Sequence, residues 1–342
     1  MNTSASFLNH SQLRNETRSV NSVLKQFTSY YTVVCGIVAL FLNIIIVVAF
    51  IRTRTLRSSF MVYVMQLTFS EILLILTVLP GNFVRGYFSY WPLGDRVCFA
   101  FSYFSQVLAS GVRYGHVLIT FNRLWAIYFP VSYRTRHSAG VARLIIASMW
   151  CFVHAVQLPA VIPGLMYRKR GDPQCILNLS SMPVLASVFS RLGFDLPQLI
   201  IILCYPLVLY KLYSRRRGRS LKKSRVGTSL QLSVPAGPSN IQPSAPAPPG
   251  NEEADVPPNE NRRCCTMSSS YRTLTALTVA VIVCWTPNNV YYLLVYSITG
   301  FWNAPYFSVQ NALAYSITWL NPILFYLSLK KLQLAVNHLF CR

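Results

Sequence analysis

Three basic side chains stand where an apolar helix would bury them. In "SGVRYGHVLITFNRLW" (110–125), Arg113, His116 and Arg123 interrupt residues that are otherwise mostly small, aliphatic or aromatic. Acids to match them are scarce: the apolar stretches hold only Glu71 and Asp195. Charge buried in lipid or protein is costly and needs a partner or a function. These groups could form ion pairs, relay protons or recognise a charged ligand. Ser105, Val112, His116 and Arg123 follow one another at seven, four and seven residues, so they share one helical face. Arg113 is rotated about one residue from that stripe. His116 is expected to be an interior, neutral and hydrogen-bonded imidazole rather than a pH sensor.

The elements that carry these residues are long apolar runs. They cover 28–51, 58–84, 97–122, 144–163, 192–210, 273–299 and 305–329, with Glu71, Arg113 and Asp195 their only charges, besides the histidines His116 and His154. Runs of about 20 apolar residues span a bilayer. Lipid admits helices or closed barrels, and the alternation of a barrel is absent. The reading is an all-α membrane protein, a seven-transmembrane helix bundle. Only 12% of the residues are charged, about half the share in soluble domains.

The net charge of +22 suggests nucleic acid until its placement is considered. With the first loop (Arg52, Arg54, Arg57) inside, inner segments hold 20 of the 31 Lys and Arg, and outer segments hold 9. That bias sets an extracellular N-terminus in a multi-pass protein, and a plasma-membrane location is expected. The basic run "SRRRGRSLKKSR" (214–225) then lies beside anionic lipid, and no nucleic-acid partner is expected. Glycosylation acceptors at Asn2, Asn9, Asn15 and Asn178 all fall outside. Of nine cysteines, only Cys98, at the outer end of its span, and Cys175, in an outer loop, lie at the oxidising face, which makes them a disulfide candidate. Span one is too long for a cleavable signal and serves as the insertion signal.

Along the chain, residues 1–27 read as a polar, disordered extracellular tail, and 28–329 as the membrane domain. A flexible basic and proline-rich cytoplasmic loop covers 215–268. Residues 330–342 ("KKLQLAVNHLFCR") read as an amphipathic helix on the inner leaflet, with Cys341 a palmitoylation candidate. No internal repeat is present.

Motifs on these spans occur in a familiar order. They are Asn43 in "LFLNIIIVV", Glu71 in "LTFSE", "NRL" (122–124) with its Arg123 25 residues after Cys98, Trp150, Pro197 followed by Tyr205, "CWTP" (284–287) and "NPILF" (321–325). The set resembles the rhodopsin-like family of G-protein-coupled receptors over residues 28–341. The resemblance implies a heterotrimeric G-protein partner and an extracellular ligand. It assigns switching and coupling to Asn122, Arg123, Tyr205, Trp285, Pro287, Asn321, Pro322 and Phe325. It places Asn43, Glu71, Arg113, His116 and Asp195 as buried polar groups. It also suggests Ser105, Gln106, Asn288, Asn289, Tyr292, Asn311 and Tyr315 as ligand-pocket residues. Physical reasons agree: Pro287 and Pro322 remove backbone donors in mid-helix and create kinks. Family packing brings Asp195 near Arg113, which suggests a buried Arg113–Asp195 pair. The alternative is a local Arg191–Asp195 pair at i, i+4.

Departures from the family pattern carry expectations of their own. Asn122 replaces the acid beside Arg123, so one restraint on that arginine is missing and raised basal activity is expected. Glu71 is one carbon longer than the usual Asp, while Val112 and Ile317 remove polar ligands from the family's sodium site, so a structural, protonated Glu71 stands beside sodium binding as a reading. Phe325 replaces a tyrosine, with Tyr326 next to it. "WPLG" (91–94), "WTPNN" and Tyr315 are similar to the biogenic-amine branch, yet Ser105 stands where that branch anchors the amine on an aspartate. Conventional amine binding is therefore not expected. The basic mouth (Arg85, Arg96, Arg168, Lys169, Arg170, Arg191) opens the alternative of a peptide or acidic small molecule. A transporter or channel is disfavoured by the lack of repeats and paired broken helices. An intramembrane enzyme is disfavoured because the only buried acids are Glu71 and Asp195 and no His-Glu metal pattern exists. No cofactor or metal is expected. Ligand identity, G-protein class and oligomeric state are not encoded in any feature found.

Overall fold

A computed structural model describes residues 3–88, 90–166, 175, 183–231, 261–298, 301 and 303–340. Among them all regular structure is helical. In chain order the helices are α1 (Thr3–Arg52), α2 (Ser59–Tyr87), α3 (Gly94–Tyr128), the short α4 (Pro130–Arg136) and α5 (Ala139–Met166). Then come α6 (Pro183–Ser190), a π-helical turn (Arg191–Asp195) and α7 (Leu196–Gln231), which together form one span. α8 (Asn261–Ser297), α9 (Ala304–Ser328) and α10 (Lys330–Phe340) complete the chain.

The distribution of side chains is that of a protein in lipid. Glu71 and Asn321 are fully buried, whereas Leu203 is 61% exposed and Ile37 65%. Polar groups look inward and aliphatic groups outward, the reverse of a water-soluble domain. Five helices are long and apolar enough to cross a membrane by length and composition. α9 and α10 form a further bent pair at 99°, in which α9 crosses and α10 turns along the surface. α3 falls short of that apolar threshold, for a structural reason. It packs against α2, α5 and α7, so protein rather than lipid covers most of it. Its interior can then hold Ser110, Arg113, His116 and Asn122, all buried.

Two glycines permit that crowding. A Cβ at Gly111 would stand 2.6 Å from the Trp150 ring, and one at Gly115 3.0 Å from Gln66 Oε1. Small residues let membrane helices approach closely.

The prolines leave backbone acceptors that neighbouring helices satisfy. Pro322 cannot donate to the Thr318 carbonyl, and Asn43 Nδ2 donates to it at 3.2 Å. Pro197 cannot donate to Gly193 or, across the π turn, to Leu192. Ser110 Oγ donates to the Gly193 carbonyl at 3.1 Å and the Tyr114 hydroxyl to the Leu192 carbonyl at 2.6 Å. Freed carbonyls in a bilayer need such partners.

Two stretches differ from the expectation of disorder. The N-terminal tail is helical from Thr3, continuous with span one, and no glycine precedes Gly36 and no proline precedes Pro80. At about 1.5 Å per residue its fifty residues outrun the hydrocarbon core. In the third cytoplasmic loop, α7 continues to Gln231 and α8 begins at Asn261, while 232–260 lie outside the described residues. The tail matches expectation: α10 buries Leu332, Ala335 and Val336 beneath a polar face.

Candidate functional site

The outer end of α3 is anchored first. Cys98 and Cys175 form a disulfide with their Cα atoms 5.6 Å apart, tying α3 to the segment before α6. In the "WPLG" turn, Trp91 Nε1 donates to the Gly94 carbonyl at 3.0 Å, and Gly94 takes the left-handed φ of 74° that the turn requires. Trp91 stacks on Phe101, whose ring also lies 5.6 Å below the Arg85 guanidinium. Arg85 donates to Asn82 Oδ1, and Asn82 Nδ2 donates to the Tyr315 hydroxyl at 2.7 Å. Ser105 Oγ donates to the Phe101 carbonyl at 2.6 Å, back onto its own helix.

The buried cation sits deeper. Arg113 Nη2 donates to Asn288 Oδ1 at 2.9 Å, and Asn288 Nδ2 donates to Gln310 Oε1. The guanidinium carbon lies 4.8 Å from the ring centroids of both Phe194 and Trp285. The expected Arg113–Asp195 pair is not formed. Asp195 pairs with Arg191 at 3.7 Å, the local i, i+4 alternative, and both side chains are partly exposed. A local pair at the water-facing rim avoids desolvating a carboxylate, a cost that a buried pair must recover from geometry. Of the two adjacent α9 amides, Gln310 and not Asn311 reaches Asn288. Asn289 instead faces α7: its Nδ2 donates to Gln198 Oε1 at 2.5 Å, and Gln198 Nε2 donates to Thr286 Oγ1 at 2.7 Å. Tyr292 lies edge-on to Tyr291.

Trp285 links this outer chain to a second polar group. The His116 ring meets it edge-on, with centroids 5.1 Å apart. Asn321 Nδ2 donates to His116 Nε2 at 2.9 Å and to Glu71 Oε1. A ring nitrogen that accepts an N–H carries no proton, which is the arrangement a neutral imidazole would make. Asn43 and Thr318 adjoin the same layer. No group of three His, Cys, Asp or Glu residues able to hold a metal ion occurs among the described residues.

At the cytosolic end, the Arg123 guanidinium carbon lies 3.7 Å from the centroid of the Phe60 ring on α2. Asn122 turns away from it. His137 Nε2 lies 3.1 Å from both Asn122 Nδ2 and the Tyr63 hydroxyl. The Tyr133 hydroxyl donates to Asn122 Oδ1 at 3.3 Å, and Tyr133 stacks on His137 with centroids 4.5 Å apart. Burial pushes the His137 imidazole below its ordinary value. Nothing in the sequence pointed to His137, because its partners come from three separate elements. Phe325 is buried, Tyr205 half-buried, and Tyr326 donates to Asn337 Oδ1 at 2.8 Å, fastening α10. Asn2, Asn178 and Cys341 lie outside the described residues, and Asn9 and Asn15 fall within α1. Gln106 lies on α3 beside Ser105, partly buried.

A family model described as 7 transmembrane receptor (rhodopsin family) matches residues 42–325. The chain belongs to the rhodopsin family of seven-transmembrane receptors. It is a receptor rather than an enzyme, a multi-pass protein of the plasma membrane, and its likenesses fall in the biogenic-amine branch. The alpha-2B adrenergic receptor of Orycteropus afer is 27% identical over 209 residues, covering 60% of this chain and 53% of its own. The octopamine receptor beta-2R of Chilo suppressalis is 23% identical over 323 residues, covering 86% and 77%. The alpha-2Db adrenergic receptor of Danio rerio is 27% identical over 164 residues, covering 48% and 38%. The match spans about half the length of the alpha-2B receptor.

Proposed function

We propose that this receptor transmits the binding of an extracellular ligand to a heterotrimeric G protein, with Arg123 as the coupling residue. The observation that carries this reading is the arginine's position: at the inner end of α3, held by the face of Phe60 rather than by an acid. A cation over an aromatic ring is worth about 0.5 to 2 kcal/mol. That is a weak latch, small enough for a ligand's differential affinity to open and consistent with raised basal activity. Asn122 supports the second loop through His137 and Tyr133 and leaves Arg123 unpaired with it. Trp285, pivoting at Pro287, and Asn321, next to Pro322, would carry the change along the bundle. Ser105, Gln106, Asn289, Tyr292, Asn311 and Tyr315 are proposed to face the ligand.

The adrenergic and octopamine receptors are named for amines. For this chain we read against a conventional amine, because Ser105 offers no carboxylate and its hydroxyl is spent on its own helix. Glycosylation of Asn2, Asn9, Asn15 and Asn178, and palmitoylation of Cys341, complete the proposal at the two surfaces. The test is basal second-messenger output, across cAMP, calcium and G-protein dissociation, for wild type, Arg123→Ala and Asn122→Asp at matched surface expression. The expected result is a basal signal abolished by the first change and lowered by the second. Ion flux without G-protein activation would overturn the reading.

A further inference from the structure

The guanidinium of Arg113 is buried without a full set of partners. Its residue is 5% exposed, yet no carboxylate lies within 4 Å of it among the described residues. Its contacts are a neutral amide and two aromatic faces. Its Nε is buried without an acceptor. The chain it starts ends in the same way, since Gln310 Nε2 is also buried without an acceptor. The surroundings are therefore rich in donors: Arg113, Asn288 and Gln310 bring a positive charge and several N–H groups, and two of those groups lack acceptors. Buried donors without acceptors cost about 1 to 3 kcal/mol each, more when charged. An arginine fork matches one ligand chemistry best, a planar oxyanion held bidentately.

The direction of the chain also matters. α3 and α9 run inward from the outer face and α8 runs outward. From Arg113 in mid-helix the hydrogen bonds climb through Asn288 to Gln310, toward the extracellular mouth. Phe194 and Trp285 flank the guanidinium as flat walls. The nearest intramembrane acid, Asp195, is turned to Arg191. One fork, one further amide donor and two aromatic walls fit a compact monoanion with an aryl body. We infer that Arg113, with Gln310 on its outer side, is the anchor for a ligand carboxylate, so that this receptor takes an aryl carboxylic acid where its relatives are named for amines. The inference rests on the receptor reading above for its signalling consequence. An anion drawn to Arg113 would sit directly against Trp285 and shift it relative to His116.

The experiment uses the full chain in lipid nanodiscs at constant ionic strength. Thermal unfolding is followed with phenylacetate and 4-hydroxyphenylacetate, against phenylacetamide and phenethylamine as neutral and cationic counterparts. A ligand that binds only the folded state raises the midpoint by mass action. The expected result is stabilisation by the carboxylates, with an apparent affinity at least tenfold above the amide and the amine. Arg113→Gln should remove that preference. Asn288→Asp is the second variant, because it supplies an internal counter-ion 2.9 Å from Nη2. It should raise the unfolding midpoint of the free receptor and cancel the carboxylate response. No carboxylate stabilisation, equal stabilisation by the amide or amine, or a wild-type response in both variants would overturn the site and leave Arg113 solvated within the bundle. G-protein nucleotide exchange is read in the same nanodiscs. Carboxylate binding without any exchange would contradict the receptor reading while leaving the site standing, and basal exchange without carboxylate binding would do the opposite.

Discussion

α3 carries two arginines ten residues apart, and they live in opposite circumstances. Arg113 is enclosed between α8 and the π turn, hydrogen-bonded to an amide and walled by Phe194 and Trp285. Arg123 lies at the cytosolic end against a single ring, that of Phe60. Both are held by aromatic faces and, among the described residues, neither by an acid. What differs is the route to water. A side chain near the helix end can snorkel out to a partner, whereas one in mid-span must receive its partner from within the bundle or down the outer mouth. The same residue type thus fits a release mechanism at one end and a docking role at the other.

Charge reversal should separate the two most sharply. Arg113→Glu places a carboxylate against Asn288 Oδ1 in a site without a cation, and a buried uncompensated charge costs several kcal/mol. Surface expression should fall to near background. Arg123→Glu should reach the surface at close to wild-type levels but fail to signal. Equal surface levels for both, measured by antibody to an extracellular tag, would break the contrast.

A smaller effect is expected from the latch. Phe60→Ala removes the ring beneath Arg123, an interaction of about 0.5 to 2 kcal/mol, so basal signalling should rise several-fold. Phe60→Tyr should stay near wild type. An unchanged basal level in the alanine variant would show that the ring does not restrain Arg123.

Between the arginines, Tyr114→Phe tests the frame. It leaves the Leu192 carbonyl at the π turn without its donor, a loss of about 1 to 3 kcal/mol. The unfolding midpoint should drop by several degrees while signalling per surface receptor holds. A midpoint equal to wild type would mean that water replaces the hydroxyl.

The smallest effect is pH-dependent. His137 is a base whose docked form resists protonation because burial disfavours the charged ring. The undocked loop keeps an ordinary imidazole near 6.5. As cytosolic-side pH falls through that value, the undocked state takes up the proton and gains on the docked one. The docking contribution is complete above that range and is lost below it. Basal activity of inside-out membranes should therefore change between about pH 7.5 and 5.5 in wild type and less so in His137→Phe. Identical profiles would remove His137 from the account.

Much of the architecture was legible because it rests on composition. Seven apolar runs, the basic bias of the inner loops and the Cys98–Cys175 bridge follow from solvent and compartment, which act on residues one at a time. α3 was harder, since its polar interior lowers its hydropathy, and only its packing by α2, α5 and α7 explains that. Arg113 could be singled out, but its partner could not. Asp195 was the obvious acid, while Asn288 and Gln310 are neutral amides that carry no sequence signal of pairing. His137 escaped for the same reason: Tyr63, Asn122 and Tyr133 converge on it only in three dimensions. The meaning of Gly111 and Gly115, close approach to Trp150 and Gln66, required the fold.

The central claim is that this chain activates a G protein through Arg123 and that Phe60 restrains it. The most direct measurement is nucleotide exchange on purified heterotrimers by the receptor in nanodiscs, for wild type, Arg123→Ala and Phe60→Ala. The expected result is exchange above that of the G protein alone, lost in Arg123→Ala and increased several-fold in Phe60→Ala. Exchange indifferent to both substitutions, or none with any heterotrimer from wild type and Phe60→Ala alike, would contradict it.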